Sequence, residues 1–153
     1  MADAASRGTQ AGGGARTVVQ LAALVVGLVF LLVGVLGFIP GVTTDYGGLA
    51  LLGPESNAML FGIFQVSVLH NAVHLLFGLA GAAMARTVSV ARIYLVGGGV
   101  IYLLLWLYGF LVPQDSPANF VPLNIADNWL HLGLAVGMIG LGFLPGRGVV
   151  APK

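Results

Sequence analysis

From Thr17 to Ile39 the chain carries no charged residue and a single amide, Gln20. Three more stretches are nearly as apolar, roughly Met59–Met84, Val90–Val112 and Leu123–Leu144. A helix needs ~20 apolar residues to cross a hydrocarbon core of ~30 Å. Inside lipid, only helices and closed barrels satisfy their own backbone polar groups. Four such runs therefore predict four membrane-spanning helices within residues 17–144. The breaks between them carry turn chemistry: Pro40, Gly41 and Asp45, then "GPESN", then "ARTVSVAR", then "VPQDSPANFVPLN" with its three prolines. Short connections predict an antiparallel up-down bundle, an all-α membrane protein.

Charge agrees. Only 7% of the 153 residues are charged and 58% are hydrophobic, where a soluble domain has about 25% charged. A net charge of +1 and no basic run point away from nucleic acid as a partner. With no cysteine, disulfides, thiol catalysis and lipid attachment through Cys are excluded. Residues 1–16, "MADAASRGTQAGGGAR", have little to bury and read as a disordered cytoplasmic tail. They resemble no cleaved signal peptide, so the first span is expected to be an uncleaved anchor. Residues 145–153 form a second cytoplasmic tail.

The six basic residues fix the orientation. Arg7, Arg16, Arg86, Arg92, Arg147 and Lys153 all fall on one side of a chain that crosses four times. Asp45, Glu55, Asp115 and Asp127 fall on the other. The positive-inside rule then puts both termini in the cytoplasm of a multi-pass plasma-membrane protein. Trp106, Tyr108 and Trp129 lie near the outer ends of the third and fourth spans, as an aromatic belt does.

Polar residues inside the spans are the candidates for function. Ser67, His70, Asn71 and His74 share one face of the second span at 100° per residue. The fourth span has a matching face of Asp127, Asn128 and His131, and Tyr102 on the third needs a partner for its hydroxyl. Asn124 follows Pro122 and reads as a helix cap, with Asp127 complementing the helix dipole. Gly27, Gly34, Gly133, Gly137 and Gly140 read as close-packing positions between helices, or in part as a homodimer face.

Three uses of this polar face are open. It can be a buried hydrogen-bond network fixing two helices, in a structural or accessory subunit of a larger membrane complex. It can be a proton or ion relay. It can hold haem or a metal through His70, His74 and His131 in a redox protein. No cofactor is the expectation, because depth opposes a shared metal. His70 lies eleven residues into a helix beginning at Met59, and His131 lies near the outer interface. The two then differ in depth by roughly 8–10 Å at ~1.5 Å per residue. The chain has no nucleophile paired to a base and no phosphate loop, so an enzyme is not the leading reading.

The segments "FLLVGVLGFIPGVTT", "GIFQVSVLHNAVHLLFGLAG", "YLVGGGVIYLLLWLYG" and "NFVPLNIADNWLHLGLAVGM" resemble a family of small bacterial four-helix membrane proteins known only as a domain of unknown function. The likeness runs from about Val18 to Gly142. Its most specific parts are "LHNAVHLLFG" and "NIADNWLHLGL". It implies the fold and the membrane location, and no activity.

Overall fold

The computed structural model describes residues 16–146. The two predicted tails fall almost wholly outside the described residues, as do Arg7, Arg147 and Lys153. Among the described residues there are four α-helices: α1 (Val18–Leu36), α2 (Val68–Met84), α3 (Val88–Leu111) and α4 (Ile125–Gly142). Two of them, α1 and α3, are long and apolar enough to cross a membrane. α2 has 17 residues, and α4 opens on polar turns containing Asp127, Asn128 and His131.

The main departure from expectation is the start of α2. Residues 59–67 are not helical. Met59–Leu60 (β2) and Phe64–Gln65 (β3) form a tight antiparallel hairpin, and Thr43–Thr44 (β1) adds a third short strand beside β2. Phe61 and Gly62 turn the chain with positive φ values of 55° and 69°. Glycine adopts that region at no steric cost and Phe rarely does, so Gly62 is the residue that licenses the turn. The hairpin packs Leu60 and Val66 onto Val33 and Leu36 of α1, closing one end of the helices.

Neighbouring helices run antiparallel in two close pairs. A Cβ on Gly27 would lie 2.8 Å from the Ala82 backbone nitrogen, and one on Gly34 2.9 Å from the Leu75 side chain. In the second pair, a Cβ on Gly99 would lie 2.9 Å from the Ala135 carbonyl oxygen. These are glycine grooves that let backbones meet. Gly133, Gly137 and Gly140 take no part in packing within the chain, against the first of their two expected uses: nothing lies within 4 Å of where their Cβ atoms would be. They face outward, because the buried stripe of α4 runs through Asp127, His131, Ala135 and Met138.

The two pairs repeat one pattern. α2 and α4 have polar N-caps, Ser67 and Asn124, whose side chains accept from the backbone N–H three residues on. Each has Asn at its fourth position (Asn71, Asn128) and His at its seventh (His74, His131). Each Asn lies against a glycine near the end of the preceding helix, Asn71 on Gly37 and Asn128 on Gly109. At the opposite end, the Gln20 amide donates to the carbonyls of Ala85 (3.3 Å) and Arg86 (2.7 Å), where α2 stops. Arg92, at the matching position of α3, donates to Gly142 (2.8 Å) and Leu144 (2.9 Å), where α4 stops. Phe30 and Tyr102 also match, and their rings stack at 5.4 Å and 14°. The fold is a duplicated helical hairpin with this stacked pair between the two halves.

Candidate functional site

A cavity of about 230 Å³ opens between α1 and α4, beneath the β2–β3 hairpin. Val26, Val29, Phe30 and Leu134 are among its walls, and Leu60 and Phe64 of the hairpin lie over it. His70, His74, His131 and Asp127 supply its polar lining. Val25, Phe61 and Leu130 line it too and are exposed, so its mouth is apolar and on the outer surface of the helices.

The third position of α2 and the seventh of both helices bring the histidines together. The His70 and His74 ring centroids are 4.5 Å apart, and those of His70 and His131 are 6.3 Å apart. The predicted depth mismatch between His70 and His131 is therefore absent. It rested on a helix starting at Met59; with α2 starting at Val68, both rings sit within ~10 Å of their helix starts. All three imidazoles are buried.

The rest of the predicted polar face disperses. Ser67 spends its hydroxyl on the α2 cap, accepting from His70 N–H at 3.1 Å. Asn71 turns toward α1 and Asn128 toward α3, each into its glycine groove. Tyr102 is 5.1 Å from His131, ring to ring, and belongs to a three-ring cluster with Phe30 and Phe77 below the histidines. Among the described residues, no side-chain hydrogen bond joins α2 to α4. No three His, Cys, Asp or Glu side chains among them form a group able to hold a metal ion.

Asn124 and Asp127 make a reciprocal capping box: Asp127 N–H donates to Asn124 Oδ1 (2.9 Å) and Asn124 N–H to Asp127 Oδ2 (3.1 Å). The same Oδ2 accepts from Gln65 N–H at 3.0 Å, and Asn124 Nδ2 donates to the Ile63 carbonyl at 2.7 Å. The cap of α4 thus latches the hairpin over the cavity. Asp127→Ala removes an acceptor shared by two backbone donors. The expected cost is about 2 kcal/mol, with faster amide exchange at Gln65 as the local readout; unchanged exchange would mean that the latch does not hold the roof.

Unpaired buried polar atoms occur at the site and away from it, the latter on Asn71, Tyr94 and Asn128. Nδ1 of His70, His74 and His131 is buried with no hydrogen-bond partner in each case. A buried polar atom left unpaired costs ~1–3 kcal/mol, and the three rings that carry these atoms all line one cavity. Sequence reasoning missed the walls, because an apolar residue lining a cavity has the same signature as one in the core. The repeat offered a clue: "HNAVHL" and "DNWLHL" place Asn and His identically.

Residues 20–144 match the family described as a domain of unknown function, DUF4383. The chain belongs to that family, as the resemblance implied. No curated protein and no solved structure matches it.

Proposed function

We propose that this family member is a four-span plasma-membrane protein with cytoplasmic termini, acting as an accessory subunit that holds a small lipid-borne ligand in the three-histidine cavity. The observation that carries the reading is the set of three buried imidazoles, each with its Nδ1 unpaired, that line a cavity with otherwise largely apolar walls and an apolar mouth. Ligand sites commonly combine apolar walls with a few convergent polar groups. A brace between helices would instead pair those nitrogens with each other. A relay would continue past His74, where the rings of Phe30, Phe77 and Tyr102 meet.

The four-span arrangement draws support from polarity turned inside out. Leu76 and Leu79 on α2, and Trp129 and Val136 on α4, are exposed, while His70, His74, Asp127 and His131 are buried. Water would not select that distribution and lipid does. The absence of cysteine makes the topology easy to test. Asp115→Cys is expected to react with an impermeant maleimide on intact cells, and Ser89→Cys only after permeabilisation. The reverse pattern would invert the orientation, and labelling of both from outside would remove the four-span reading. For the ligand, solvent extraction of purified protein is expected to yield a stoichiometric small molecule that is lost in Leu134→Phe. A Soret band or bound metal, lost in His70→Ala, would replace that reading with the haem or metal one.

A further inference from the structure

The duplicated hairpin gives the cavity an internal reference. Its walls come from α1 and α4, and the matching junction in the other half lies between α3 and α2. There the matching positions of Leu134 and Val26 are Phe77 and Gly98. The Phe77 ring lies over Gly98, whose Cβ would fall 2.7 Å from the ring tip. It meets Phe30 and Tyr102 edge-on at 5.1 and 5.7 Å. One junction is thus plugged by a six-membered ring of the protein's own. At the other, Leu134 and Val26 replace ring and glycine, and both line the cavity.

Size, lining and mouth then narrow the occupant. An engineered cavity of about 150 Å³ takes a benzene molecule, so about 230 Å³ admits one substituted six-membered ring and not a macrocycle. His70, His74 and His131 line the cavity, and a neutral imidazole offers one N–H donor and one acceptor, which suits a ring carrying oxygen substituents. The mouth beside Val25, Phe61 and Leu130 is apolar and exposed, at 56%, 53% and 43%. A ligand seated there with a hydrocarbon tail would leave the tail in the acyl chains. Resting on the ligand-cavity reading above, we infer that the site binds the head of a prenyl quinone or quinol, with ring oxygens on His70, His74 and His131 and the prenyl tail leaving between α1 and α4.

The test uses the full chain in nanodiscs, with decylubiquinone as probe and farnesol as a tail lacking the ring. Saturable binding of decylubiquinone is expected, with farnesol at least tenfold weaker. Binding is expected to fall at least tenfold in His131→Leu and in Leu134→Phe, the latter placing in the cavity the ring found at the matching junction. Leu134→Phe is also expected to melt no lower than the unmodified chain, which separates a filled site from a damaged fold. Equal binding of farnesol and decylubiquinone would overturn the quinone assignment and leave the ligand cavity standing. If neither probe binds saturably, both readings fall. Quinone binding that persists in both variants would place the site elsewhere and overturn the inference.

Discussion

Gly27→Leu is expected to break the pairing of α1 with α2 and to leave little folded protein in detergent. Even a methyl group at this position would lie 2.8 Å from the Ala82 nitrogen and 2.9 Å from the Gly78 carbonyl oxygen. Both are backbone atoms, so no rotamer change relieves the contact. Overpacking of this kind costs about 1–3 kcal/mol where side chains can move, and the upper end or beyond is expected where they cannot. Gly133→Leu is the control. Nothing stands within 4 Å of its Cβ position, so its effect is expected to stay within about 0.5 kcal/mol. Reversible unfolding in mixed micelles measures both. Equal damage from the two would mean that the outer face of α4 is as tightly packed as the α1–α2 groove.

Arg92→Ala is expected to release the end of α4. The guanidinium donates through Nε to the Gly142 carbonyl and through a terminal nitrogen to that of Leu144. These carbonyls belong to the last turn and its exit, where no intrahelical donor reaches them. A hydrogen bond to a charged group contributes ~1.5–3 kcal/mol, and the cation also complements the negative end of the helix dipole. About 2–3 kcal/mol of stability is expected to go, with amide exchange rising over the last turn of α4. Arg92→Gln is the informative variant, because Gln20 performs the same closure on α2 with an amide. It is expected to retain at least half of the stability lost in Arg92→Ala. If it retains none, charge rather than hydrogen-bond geometry closes the helix.

The four helices were readable from apolar runs punctuated by Pro, Gly and polar turns, and the α4 cap from Asn124 three residues before Asp127. The start of α2 was not. "MLFGIFQV" is apolar but for Gln65, and periodicity does not separate a short buried strand from helix in such a run. The signal lay in Gly62, at which the hairpin turns. Reading past it moved His70 from the third position of its helix to the twelfth and separated it in depth from His131. A one-residue cue thus decided whether the histidines looked like one group or two. The polar face also dispersed for a reason sequence does not carry. Asn71 and His70 are adjacent and both buried, yet Gly37 gives the amide a slot on α1 that only the packed pair reveals.

Joining two like hairpins in one chain has a consequence for what a small protein can hold. Two separate copies meeting about a twofold axis would present two identical seams, because an isologous contact repeats every residue. A phenylalanine that sealed one seam would seal the other, and a change that opened one would open both. Covalent linkage removes that constraint: Phe77 closes one seam and secures the packing, while Leu134 leaves its twin open. The third helical position diverges in the same way, His70 in one half and Asp127 in the other. A chain of 153 residues can then keep the economy of a repeated fold and still be one-sided where it meets something else.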